Sequence, residues 1–323
     1  MHAALAMSFS ILMWSLYPLW ASLALAHADP FSLMFMAHVF AFIVAAILCA
    51  ALLWRQRKMA AFWQVQKNLG VSGWLLIAMT SLTSALSHSF FLMSLTLASK
   101  AGVSLVFELW PIVAMFFTPI LTSRTWTRTT WKDYALGIVS LIGVCLIILG
   151  DKDLMLPDRL SDISIYFASQ DSWVLLGYIL ALGGCYLTAL QAVLRMNYAD
   201  VFKTLDSPLI ASFLSVIYTR GGGAIFLAFI VLGLQGDFNF GVDAIGYMAL
   251  VGAMVFALAA GAYTYALLNA RHSNIHIFYY LAPAGAVLWL YLFRETEITM
   301  TIIIGGAMVV GANIILALKN RKN

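Results

Sequence analysis

The chain has 323 residues, of which 63% are hydrophobic and 10% charged, with a mean hydropathy of +0.93. This composition excludes a soluble globule and predicts an all-α polytopic membrane protein. The net charge of +4 does not point to nucleic acid, because most Lys and Arg sit in short stretches between apolar runs and report topology instead.

Ten apolar runs are predicted as transmembrane helices, at 4–25, 31–54, 72–95, 101–122, 133–150, 172–195, 208–233, 243–268, 274–293 and 298–318. The first holds Trp14 and Tyr17 and ends near Ala26-His27-Ala28, which fits a signal-peptidase site. The run is too long for a signal peptide and lacks a positive start, so a retained helix is expected. Residues 55–70 mix Lys and Arg with Met59, Phe62 and Trp63, the pattern of a short helix on the membrane surface. In the third run, His88 stands among Ser84, Ser87 and Ser89, a polar patch that either lines a cavity or joins helices by hydrogen bonds.

The fourth run carries Glu108 beside Trp110 and Pro111. A carboxylate in hydrocarbon costs on the order of 3 kcal/mol on insertion scales, so it must face protein or water. Glu108 shares a helical face with Ser104 and Pro111. It either holds a substrate ammonium, a quaternary cation or a coupled proton, or it is protonated and hydrogen-bonded between helices. Residues 151–171 are acidic and predict an extracytoplasmic loop. The sixth run contributes Tyr186. The seventh contains Arg220-Gly221-Gly222-Gly223, where three glycines favour a kink or a close crossing and the arginine pairs with an acid or snorkels to the surface. The eighth offers Tyr265 and Asn269 at i, i+4. The ninth offers His276, Tyr279, Tyr280 and Pro283 on one face, with ring faces and hydroxyls suited to an aromatic or cationic ligand. For each of these aromatic residues ordinary packing is the alternative reading. Pro111, Pro119 and Pro283 each remove a backbone hydrogen bond, and bending at Pro111 and Pro283 is the expected gating device. Cys49, Cys145 and Cys185 lack CxxC spacing and read as small core residues; no metal or cofactor is expected.

Counting Lys and Arg on alternate sides of the ten runs assigns 13 to one side and 4 to the other, with Arg220 inside a run. Both termini are therefore expected in the cytoplasm. Trp54, Trp63, Trp74, Trp126, Trp131 and Trp173 cluster at run ends, as an interfacial belt does. Shifting the chain by 172 residues superposes Leu95 on Leu267, Ala98 on Ala270, Leu109 on Leu281, Pro111 on Pro283 and Ala114 on Ala286. After a four-residue gap, Gly137 and Gly143 fall on Gly305 and Gly311. Five helices per half is an odd number, so two inverted five-helix repeats are expected, 1–150 and 172–323, joined by the 151–171 loop. Inverted repeats hold substrate near the midplane in many transporters.

Two copies of an apolar stretch with a central proline, LWPIVAMFFTPIL and LAPAGAVLWLYLF, are each followed by a glycine-spaced one, GIVSLIGVCLIILG and GGAMVVGANIILAL. In this the chain resembles the EamA-type members of the drug/metabolite transporter superfamily. Leu109-Trp110-Pro111, Gly143-Val144-Cys145 and the acidic loop are similar to the aromatic amino acid exporter (YddG-like) branch. The resemblance implies a bacterial inner-membrane protein that exports aromatic amino acids or bulky organic cations through a cavity lined by runs 1, 3, 4, 6, 8 and 9. Its partners would be a small-molecule substrate and the lipid bilayer, with no nucleic acid, as a monomer or homodimer. An intramembrane enzyme is the rival class, but HExxH, GxSxG and paired intramembrane aspartates are absent from the sequence. A receptor's buried retinal lysine and a pump's phosphate loop are absent too.

Overall fold

A computed structural model describes residues 2–121, 131–151, 172–203, 205–234, 240–269 and 281–319, together with residues 154, 236 and 238. The predicted apolar runs are mainly helical over their described residues, and the fourth is interrupted. The elements are α1 (His2–Leu25), α2 (Pro30–Arg55), α3 (Met59–Asn68), α4 (Gly70–Leu97), α5 (Lys100–Phe107), α6 (Trp110–Leu121), α7 (Trp131–Leu149), α8 (Ser172–Lys203) and α9 (Pro208–Leu234). Then come α10 (Val242–Leu250), a π-helical segment (Val251–Ala259), α11 (Ala260–Asn269), α12 (Ala282–Leu292) and α13 (Met300–Lys319). Among the described residues, six helical stretches are long and apolar enough to cross a membrane: Ala3–Leu25, Pro30–Arg55, Gly70–Leu97, Ser172–Arg195, Pro208–Leu234 and Val242–Ala266. Large apolar side chains such as Ile47, Ile225, Phe229 and Leu232 turn outward along them. The molecule is a multi-pass membrane protein. The amphipathic stretch predicted at the surface forms α3, and Gly70, with φ +59, turns the chain from it into α4.

Local chemistry sets the boundaries. Asp29 caps α2, its carboxylate accepting from the Phe31 and Ser32 amides at 3.0 Å, with Pro30 in the first turn. The run predicted as one helix over 101–122 is instead two. It breaks at Glu108–Leu109, and Trp110-Pro111 opens α6. The physical reason is proline: Pro111 has no N–H to give the Phe107 carbonyl four residues back and its ring crowds that carbonyl, whereas in a first turn its missing N–H would be unpaired anyway. Asn313 of α13 donates to the Glu108 carbonyl at 3.2 Å and so caps the broken end. Pro283 likewise lies in the first turn of α12.

Small residues let the helices close on one another. A Cβ at Gly143 would meet the Gly305 carbonyl at 2.7 Å, so α7 and α13 cross backbone to backbone. Gly184 brings α8 against the Ser87 carbonyl of α4. Of the kink or close crossing expected at the triple glycine of α9, the contacts show the close crossing: Gly221 faces Phe42, Gly222 faces Ser81 and Gly223 faces His38. Ser81 adds a bond to the Tyr218 carbonyl at 3.0 Å.

At the bundle end where α1 stops, Glu295 accepts from Lys100 at 2.5 Å and from Ser22 at 2.8 Å. Partial burial would raise the Glu295 pKa, but the Lys100 and Ser22 hydrogen bonds and the lysine charge outweigh it and hold the carboxyl below its ordinary range. Nearby, Asp151 accepts from the Tyr178 hydroxyl at 2.7 Å and the Ser99 amide at 3.0 Å. At the opposite end, Lys58 donates to the carbonyls of Leu205 and Asp206 at 2.6 and 2.7 Å.

Candidate functional site

Polar chemistry gathers in two adjoining places inside the bundle. The first is built on the helix break. The Trp110 side chain hydrogen-bonds the Glu108 carboxyl group. The other carboxyl oxygen, Oε2, is buried without a hydrogen-bond partner among the described residues. A break in a helix explains this position: Glu108 ends α5 with φ −76 and ψ 6, so its side chain leaves the regular ladder. The carboxyl lies within electrostatic reach of Cys185 on α8 and Tyr263 on α11. Trp14, Trp110 and Tyr263 pack together around Met7 and Ala266.

The second place is organised by Phe256, fully buried in the π-helical segment. Its ring centroid lies 4.8 Å from His88, 5.3 Å from Tyr17, 5.6 Å from His38 and 5.9 Å from Trp14. On its face sits the Arg220 guanidinium, Cζ 3.9 Å from the centroid. Arg220 is 5% exposed. One of its terminal nitrogens, Nη1, donates to Ser84 Oγ at 2.9 Å and to His38 Nε2 at 3.3 Å. His38 can accept there because its Nδ1–H is committed to the Met34 carbonyl at 2.9 Å. His88 is held in the same way, Nδ1 donating to the Ser84 carbonyl at 2.9 Å. Phe107, next in chain to Glu108, lies 6.1 Å from His88, ring to ring, which joins the two places.

Of the residues predicted for a binding site, Glu108, Trp110, His88 and Trp14 are brought together in this region. Tyr186 is not. It is 52% exposed on the same α8 face as the outward Ile179, its ring 6.2 Å from Phe117. Tyr265 is not among the side chains around Met7 and Ala266, where Tyr263 stands instead. Tyr279 and Tyr280, with His276, lie outside the described residues. Pro111 and Pro283 each sit in the first turn of a helix rather than within one. Sequence reasoning missed Arg220, Phe256, His38, Tyr263 and Asn313 as interior groups. The Arg220 charge inside an apolar run is the one available signal; sequence alone has it pair with an acid or snorkel to the surface, and neither is seen among the described residues.

Residues 1–149 match the EamA-like transporter family. That match covers both α1 with its aromatics and the Glu108 break, and it suggests a membrane transporter rather than an enzyme. Among curated proteins none matches the chain. A solved structure titled only "Crystal structure of protein" is similar over 99% of this chain and 98% of its own, at 19% identity and a TM-score of 0.61. At that identity the likeness speaks to the fold alone. The EamA-like match and the membrane-length helices agree on a multi-pass membrane protein whose substrates would be small molecules.

Proposed function

We propose that this chain is a secondary transporter that exports aromatic or other amino acids across a bacterial inner membrane, by alternating access around the Glu108–Phe256 region. In this reading ten helices form two inverted halves, 1–150 and 172–323, with both termini cytoplasmic and with Pro111 and Pro283 marking the bends. The observation that carries it is Glu108, whose buried Oε2 lacks a hydrogen-bond partner among the described residues, beside a wall of aromatic rings. A substrate ammonium would supply the missing donor, and the rings suit an aromatic side chain. The EamA-like match supports transport as the class. A second reading, export of organic cations, is favoured by the same carboxyl group, since a quaternary cation needs only an acid and aromatic faces.

Counterflow of labelled phenylalanine, tryptophan, threonine and a quaternary dication in liposomes tests both readings, comparing wild type with Glu108→Gln. Amino acid export predicts that wild type exchanges phenylalanine and tryptophan and that Glu108→Gln loses about tenfold or more, the loss of one charge-assisted contact. Exchange that survives the substitution makes Glu108 a structural residue. Movement of the dication alone favours the second reading, and movement of nothing overturns both.

A further inference from the structure

The interior holds a permanently charged guanidinium for which the described residues supply no acid. Arg220 cannot discharge by losing its proton under physiological conditions. Among the described residues the one ion pair is Lys100–Glu295 at the bundle end, so Arg220 has neutral neighbours only: the Ser84 hydroxyl, the His38 ring and the Phe256 face. Cation–π contact and a neutral hydrogen bond offset only part of the penalty of burying a charge. A second cation, Arg195, adds to the positive potential. It lies within electrostatic reach of Arg220 and is anchored to Thr264 at 2.8 Å.

Independently, the Tyr17 hydroxyl is buried, has no hydrogen-bond partner among the described residues and lies within electrostatic reach of Arg220. Further N–H groups of Arg220 make no hydrogen bond to the described residues beyond the two from Nη1. Two kinds of donor thus lack acceptors in one place, under a positive potential. Tyr263 lies within electrostatic reach of both Glu108 and Arg195.

We propose that Arg220, assisted by the Tyr17 hydroxyl, is the binding site for the carboxylate of the transported molecule. The guanidinium donates to the carboxylate oxygens, the tyrosine adds a neutral donor and Phe256 holds the guanidinium plane. With Glu108 as the ammonium partner, the interior has one pole for each end of a zwitterion. That arrangement selects amino acids over simple cations. The inference rests on the transport reading for its substrate, while the site itself is measurable without transport.

The probes are phenylacetate, phenylacetamide and phenethylamine, with thermal unfolding of the purified full chain in detergent as the readout. Phenylacetate should stabilise wild type, and its uncharged amide should not. Arg220→Gln should bind phenylacetate about tenfold or more weakly, as expected when a charge-assisted bond is lost, and should leave phenethylamine unaffected. Equal stabilisation of Arg220→Gln and wild type by phenylacetate overturns the proposal, as does equal binding of acid and amide by wild type. Where Arg220→Gln fails to fold, Tyr17→Phe is the second variant. It should weaken phenylacetate several-fold and spare phenethylamine, and no change in either overturns the proposal. Carboxylate binding without counterflow of any substrate would remove the transport reading and keep the site.

Discussion

Glu108 and Trp110 form a pair in which each substitution has a different expected outcome. Glu108→Gln retains an oxygen for the Trp110 N–H and removes the charge, so fold stability should stay within about 0.5 kcal/mol of wild type. Trp110→Phe keeps an aromatic ring but leaves the buried carboxyl with no donor among the described residues, and it should destabilise by about 1–3 kcal/mol. Thermal unfolding in detergent separates the two. Phe256→Ala should cost about 3–5 kcal/mol, because it empties the centre of the aromatic cluster and strips Arg220 of its cation–π partner. Glu108 and His88 were legible as polar residues in apolar runs, because hydrocarbon makes such residues stand out in one dimension. Arg220 stood out equally, but which neighbours would meet it depended on how α2, α4 and the π-helical segment pack around it, and sequence spacing does not carry that.

At the scale of elements, helix crossings depend on single glycines. Gly143 and Gly305 lie backbone to backbone, whereas a Cβ at Gly311 would meet nothing. Gly305→Leu should therefore drive α7 and α13 apart and destabilise by about 1–3 kcal/mol or more. Gly311→Ala should be neutral or slightly stabilising, since it adds a better helix former at an open position. Paired unfolding curves check the contrast. The apolar, membrane-length character of the helices and the small-residue packing at the triple glycine were readable from apolar runs and residue size. Two features were not. The helix break at Glu108 hides inside an uninterrupted apolar run, where only Pro111 hints at it. The π-helical segment defeats any wheel drawn at the α-helical angle, because its turns hold more residues.

Across the whole molecule, the ties at one end have a consequence for pH. The Glu295 carboxyl is held below its ordinary range in the fold by Lys100 and Ser22. Its contribution is thus present above the unfolded carboxylate pKa, about 4.3, and is lost as pH falls through the lower folded value. Unfolding temperature should drop on acidification in that window, and Glu295→Gln should flatten that part of the curve. The effect is modest because the pair is partly exposed, and added salt should shrink it further. Lys100 begins α5, Ser22 lies near the end of α1 and Glu295 follows α12, so this one carboxylate fastens three elements. Freeing it should raise the reactivity of a cysteine placed at Ser22, measured by labelling in intact membranes.

The wide turns of Val251–Ala259 hold about one residue more than α-helical turns over the same length. That surplus makes this segment a place in the interior where the chain can be shortened without putting everything beyond it out of phase. Deleting Ala253, which is only partly buried, would let the segment relax to ordinary α-helix while Tyr263 and Thr264 keep their bearings. The same deletion inside α4 would swing every later side chain of that helix by about 100°. Insertions and deletions, so damaging to membrane helices elsewhere, have here a position built to absorb them.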